Sequence, residues 1–280
     1  MFPRTSVEGL SLPRMIIGTN WLMGWSHTGQ AADQAIRERY ATAESMYPVF
    51  QAFLEHGADA VMGPISQSPL LLDAIQYAQD RSGQAITMID TPMLDMSDSA
   101  EGRRAAQEII TQSAKAGSAL CMIHHSSIEQ LVNRRLAVIE RIDDYTQMIR
   151  EAGMIPGATA HMPEVVLYAD KNGYDLQAYV QIYNCLGFLM QVEVEQVASI
   201  IQNAKKPVMA IKAMAAGRCT PYVGLTFAWN CLRPQDMVVV GCNTPGEVHE
   251  DAEISLAAIE HRFPAMKKRA SPNTKQAVLQ

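Results

Sequence analysis

Eight short apolar runs recur along the chain, each closing on small or polar residues and each separated from the next by a longer segment with apolar positions at helical spacing. Residues 119–125, ALCMIHH, show the design most plainly: an apolar run that ends in two histidines. The other runs are 15–21 (MIIGTNW), 58–62, 85–90 (AITMID), 155–161, 179–184 (YVQIYN), 207–212 and 238–242. Runs this short that are apolar throughout, without alternation, fit strands covered on both faces, as in a parallel sheet.

The intervening spacing predicts helices over 33–56, stopped at Gly57, and from the cap Ser68 to just before Gly83. Further helices are expected over 97–115, 163–171, 194–204 and 220–232, the last begun by Gly217 and Arg218. A long amphipathic helix is expected over 128–151, its charges on one solvated side. Thr244-Pro245 is an N-cap and first-position pair for a final helix.

Eight strand–helix alternations leave an open doubly wound sheet or a closed barrel, and the count of eight favours an α/β fold of the (β/α)8 TIM-barrel type. Its 280 residues suit one domain over 1–265, with the polar stretch 266–280 as an extension and a candidate homo-oligomer contact. A net charge of −6 gives no general attraction to nucleic acid or anionic lipid, so a small molecule is the expected partner. No run of about 18 apolar residues and no apolar leader is present, so neither a membrane span nor secretion is expected. The five cysteines, Cys121, Cys185, Cys219, Cys231 and Cys242, form no CxxC pair and read as reduced thiols, mostly small core residues, of a cytoplasmic protein.

In such a barrel the chemistry sits at the C-terminal ends of the strands. Those ends carry Thr19 and Asn20, Met62, Asp90, His124 and His125, His161, Tyr183 and Asn184, Lys212, and Asn243. Asp90, His124 and His161 come from consecutive strands. They can be read as ligands for a divalent metal such as zinc or manganese, as an acid/base group in which Asp90 orients His124, or as structural packing. His125, on the opposite strand face, is expected at the surface or behind the site. Lys212 could stabilise an enolate oxygen, form a Schiff base, or pair with Asp90. Gly217, Arg218 and Thr244 open helices where a phosphate or carboxylate could be held, and Trp25 and His27 could wall the mouth. His56, His249 and His261 are expected at the surface, and the scattered methionines in the core.

Seven stretches together resemble the aldo-keto reductase superfamily: residues 16–25, 53–62, 121–125, 156–161, 179–184, 206–217 and 238–251, in the family's order and over most of the chain. The resemblance implies a (β/α)8 barrel with a rim site and a nicotinamide cofactor. It places Met62 where the family has a catalytic Asp, no Tyr in the following GPISQSP, Asp90 in place of the Lys, and a matching His124. Thr159-Ala160 replaces the pair that holds the nicotinamide amide, whereas Gln181 matches the amide-binding Gln. Glu247 stands where NADPH-preferring members carry an Arg.

Three functions are carried forward. The leading expectation is a nicotinamide-independent, metal-assisted or acid/base lyase, isomerase or epimerase moving a proton on a small oxygenated substrate such as a sugar or keto-sugar, with NAD(P) not expected. The alternatives are a divergent NAD(P)-dependent aldo-keto reductase and a non-catalytic binding barrel.

Overall fold

The computed structural model describes residues 1–265; the expected polar extension, 266–280, lies outside the described residues. Eight parallel strands close into a barrel in chain order. They are β1 (Met15–Gly18), β2 (Ala60–Gly63), β3 (Thr87–Asp90), β4 (Leu120–Ile123), β5 (Ile155–Ala160), β6 (Tyr179–Ile182), β7 (Val208–Ile211) and β8 (Met237–Val240). Closure is made by β8 against β1, with Val239 opposite Ile16.

The strands are buried on both faces, which is why they read as unbroken apolar runs. One face fills the barrel axis with Ile16, Ala60, Ile89, Leu120, Met122, Val180, Met209 and Val239. The other packs against the helices, through residues such as Ile17, Val61, Cys121, Tyr179, Ala210 and Val240. The helices are α1 (Gln30–Arg39), α2 (Ala43–Glu55), α3 (Pro69–Ser82), α4 (Ala100–Lys115), α5 (His125–Ile128), α6 (Ile142–Glu151), α7 (Glu164–Asn172), α8 (Val194–Asn203), α9 (Pro221–Cys231) and α10 (Pro245–Ile259). Among the described residues no helix is long and apolar enough to cross a membrane.

Three elements depart from the sequence expectation. The N-terminus forms an antiparallel hairpin, Arg4–Val7 with Leu10–Pro13, turned at Glu8 (φ +48°) and Gly9 (φ +86°). Positive φ at both central residues marks the two-residue turn whose twist matches its strands. Val7 and Leu12 cap the axial core and close the end of the barrel opposite the strand termini. The helix expected over 33–56 is two helices, because the Thr42 side chain accepts the Ser45 amide in a capping box and starts α2 afresh.

The long helix expected over 128–151 does not form. The chain makes the single turn α5, a 3-10 turn at Glu129–Leu131 and a small hairpin pairing Val132–Asn133 with Val138–Ile139, before α6. The Asn133 side chain accepts the Leu136 amide at 3.1 Å, and Ala137 and Arg141 take φ of +53° and +55°, conformations an α-helix cannot hold. Apolar spacing at 3.6 residues reported helix-like burial here but not these turns.

Candidate active site

At the end of β4 the chain leaves the strand at Ile123 and turns at once into α5, with His124 at the N-cap. The His124 ring Nδ1 accepts the Ser126 amide at 3.3 Å and lies 2.7 Å from the Ser126 hydroxyl. Because a backbone N–H can only donate, Nδ1 carries the lone pair and the neutral ring holds its proton on Nε2. Burial pushes the His124 pKa down to about 4, with the neighbouring His125 acting in the same direction.

The turn into α5 breaks strand alternation, so His125 also reaches the site. Its ring centroid lies 4.2 Å from that of His124 and 3.7 Å from that of His161, the latter pair stacked with planes 17° apart. Burial, followed by His125, takes His161 down to about 4 as well. Behind the rings stands Glu129. Its Oε1 accepts the amides of His161 (2.5 Å) and Met162 (2.8 Å), and its Oε2 is 3.9 Å from His125 Nδ1. Burial alone pushes the Glu129 carboxyl up, but the hydrogen bonds from His125 and the two amides together outweigh it and hold it below its ordinary value.

Across the mouth, Lys212 follows β7 with φ +58°, and its ammonium lies 3.1 Å from His27 Nε2. Burial lowers the Lys212 pKa, and no carboxylate forms an ion pair with it among the described residues. His27 is lowered in turn by burial, by Lys212 and by Arg218. Asp33 accepts both the amide and the hydroxyl of Ser26 through Oδ1, at 2.8 and 2.6 Å, which fixes the loop carrying Trp25 and His27. Arg218 donates to the His27 carbonyl at 3.3 Å and lies over the Phe188 ring at 4.0 Å.

These groups surround a cavity of about 470 Å³ at the C-terminal ends of the strands. Of the residues singled out from sequence, Thr19, Asn20, Trp25, His27, His124, His161, Lys212 and Gly217 line it. Arg218 stands at its edge through His27. Gly18 and Gly241 form bare backbone floor, where a Cβ on Gly18 would sit 3.1 Å from the Gly241 amide.

Several others are placed elsewhere. Asp90 is fully buried in the strand–helix layer, opposite Cys121 in register, with Oδ1 accepting the Ser66 amide at 3.3 Å; burial raises its pKa. The carboxylate therefore does not meet the imidazoles or Lys212. Tyr183 stacks on Phe227 with centroids 5.2 Å apart. The Asn184 side chain serves its own loop, accepting the amides of Leu186 and Phe188. Asn243 gives its carbonyl to Tyr40 and its amide to Glu247, outside the cavity. Gln181, opposite Ala210, faces the helices, and it is Val180 that lines the cavity at this point. The amide-binding role implied by the resemblance therefore has no matching side chain there.

The metal expectation is corrected too: among the described residues no group of three or more His, Cys, Asp or Glu side chains could hold a metal ion. Asp90, one of the three expected ligands, lies in the strand–helix layer with its Oδ1 on the Ser66 amide, away from His124 and His161.

Sequence reasoning missed Glu129, and it expected His125 at the surface or behind the site, whereas His125 lines the cavity. The signal was weak but present: four residues separate them, one helical turn, immediately after a strand.

No family model matches the chain, and no curated protein matches it. Solved structures do. A Pseudomonas aeruginosa protein provisionally named an aldo-keto reductase superposes with TM-score 0.65 at 12% identity, over 91% of this chain and 96% of its own. An aldo-keto reductase from Klebsiella pneumoniae in complex with NADPH gives 0.61 at 13%, over 95% and 92%. Another from the same organism, in complex with NADP and acetate, gives 0.60 at 14%, over 97% and 99%. The likeness is one of fold: the chain has an aldo-keto reductase-like (β/α)8 barrel.

These findings overturn the leading functional expectation. The nicotinamide-independent lyase, isomerase or epimerase rested on a carboxylate–imidazole trio that the barrel does not assemble, and the three solved structures named above are aldo-keto reductases by name. The expectation that NAD(P) plays no part is corrected on the same ground, since two of those reductases were crystallised with NADPH or NADP.

Proposed function

We propose that this protein is a divergent NAD(P)-dependent reductase acting on a small carbonyl compound. The observation that carries the reading is Lys212, a half-buried ammonium at the mouth of a largely apolar rim cavity, in contact with His27 and with no carboxylate paired to it among the described residues. A half-buried cation without a counter-charge suits a ligand of opposite charge, and a diphosphate supplies it. The residues fit such a cofactor at its charged end, where Lys212 and Arg218 would hold the diphosphate, and along its ring, where Ile211, Val180 and Trp25 offer apolar wall. Its carboxamide would find Thr159 in place of the family's amide-binding pair.

A nicotinamide bound there supplies hydride. The chain's own residues do the rest. His124, neutral at pH 7, offers Nε2–H to a carbonyl oxygen. His125, the ring of the stack that stands 3.9 Å from the Glu129 carboxylate, is placed to relay a proton, with Glu129 balancing the charge. This takes the place of the phenol and lysine that the family uses and this chain lacks. At the start of α10, Glu247 Oε2 already accepts the amides of Asn243 and Thr244 and presents negative charge where a 2′-phosphate would lie, which favours NADH.

Trp21 and Trp25 line the cavity and report on it. Quenching of their fluorescence by NADH is expected to saturate in the micromolar range, with weaker binding of NADPH. Absence of saturable quenching by either dinucleotide up to millimolar concentration overturns the proposal.

A further inference from the structure

Cys185 and Cys219 are 34 residues apart in sequence, yet their sulfur atoms lie 3.5 Å apart. Cys185 opens the loop after β6, and Cys219 follows the turn after β7. Both are half-buried, whereas Cys121 and Cys242 are buried and Cys231 directs its sulfur at the Ala198 carbonyl. The two loops are held side by side by contacts of their own. Asn184 Oδ1 accepts the amides of Leu186 (3.2 Å) and Phe188 (2.8 Å), pinning the backbone around Cys185. The Cys219 amide donates to the Met214 carbonyl at 3.2 Å, and Arg218 lies over Phe188. Shortening the sulfur separation to a bond of about 2.0 Å therefore asks for side-chain rotation and not for a rearrangement of loops.

We propose that Cys185 and Cys219 form a peroxide-reactive dithiol whose oxidation staples two rim loops of the barrel together. The Cys185 thiolate attacks one oxygen of hydrogen peroxide; the O–O bond breaks, leaving a sulfenic acid on Cys185 and a hydroxide that takes up the proton released by Cys185 and leaves as water. The Cys219 thiolate then attacks that sulfur, the S–O bond breaks, and the departing hydroxide leaves as a second water with the proton from Cys219. Two thiols and one peroxide give one disulfide and two waters, with two electrons passing from sulfur to oxygen. Burial and the neighbouring Cys185 both raise the Cys219 pKa, which assigns Cys219 to the second step. The link closes across α8 and fixes Arg218, next in sequence to Cys219, against the loop of Phe188. Nothing in this chemistry depends on the reductase reading.

The test uses the full chain, reduced and then exposed to hydrogen peroxide under native conditions. Thiols counted after denaturation are expected to fall from five to three, with peptide mapping joining Cys185 to Cys219 within one chain and dithiothreitol restoring all five. The oxidised protein should melt at a higher temperature than the reduced one. Cys185→Ser and Cys219→Ser should each form no internal cross-link, and Cys231→Ser should respond as the wild type does. Should a variant fail to fold, the wild-type peptide map decides alone. Five persisting thiols at a dose that oxidises free cysteine, or a link that runs through Cys231 or between chains, overturns the proposal.

Discussion

His125 lies face to face with His161, centroids 3.7 Å apart, although the first belongs to a helical turn after β4 and the second follows the end of β5. The contact keeps three imidazoles in one wall of the cavity with a single carboxylate, Glu129, behind them.

That wall makes the fold sensitive to acid. His124 and His161 have folded-state pKa values of about 4, below an ordinary histidine, so the unfolded chain binds more protons than the folded one between about pH 4 and pH 6.5. Their contribution to stability is whole above pH 6.5 and is lost as pH falls through that window. Urea midpoints measured from pH 7.5 to 4.5 should decline, and His161→Leu should flatten the decline; an unchanged slope in the variant counts against the assignment.

Glu129 accepts two amides that have no other acceptor in view. Glu129→Ala leaves them unsatisfied and should cost about 1–3 kcal/mol per group, read as a lowered midpoint in urea. Glu129→Gln keeps an acceptor oxygen but removes the charge facing His125. It should keep most of the stability while shifting the pH dependence of any turnover, a split that separates the two roles.

Lys212 should show opposite effects on ligand and fold. Lys212→Met is expected to weaken NADH binding roughly ten- to a hundredfold, the range for a charge-assisted contact of about 1.5–3 kcal/mol. It also removes a half-buried cation that has no counter-charge, so the ligand-free protein should melt higher than the wild type. A variant that binds NADH as tightly as the wild type removes Lys212 from the site.

Gly157, inside β5, is required by closeness. A Cβ there would lie 2.1 Å from Met122 Sδ and 2.9 Å from the Ala178 carbonyl oxygen. The methionine can swing aside, but the neighbouring strand's backbone cannot. Gly157→Ala should destabilise by about 1–3 kcal/mol, as overpacked cores do, and Met122→Ala should not restore it.

Much of the barrel could be read from residue order. Strands β3, β4 and β7 lie within the expected runs at 85–90, 119–125 and 207–212, helix α3 ends at the expected stop before Gly83 and α4 at the expected residue 115, because each is fixed by local pattern and punctuation. The expected ring of rim residues was partly gathered around the cavity, at Thr19, His27, His124, His161 and Lys212. Asp90, Tyr183 and Asn184 were not, nor was Gln181, the match to the family's amide-binding residue. In a strand buried on both faces, apolar residues occupy inside and outside alike, so the sequence carries the two-residue alternation without its phase. Gln181 and Val180 differ by one position and by which side of the barrel they see.

By itself, then, the chain's sequence determined the number and order of the eight barrel strands and the end of the barrel at which polar groups collect, since these depend on neighbours close in sequence. Tertiary structure alone decided which member of each adjacent pair turns inward, that Glu129 and not Asp90 faces the histidines, and that two distant cysteines meet. Those outcomes depend on register between strands and on the path of loops after them, and both are set by contacts between residues far apart along the chain.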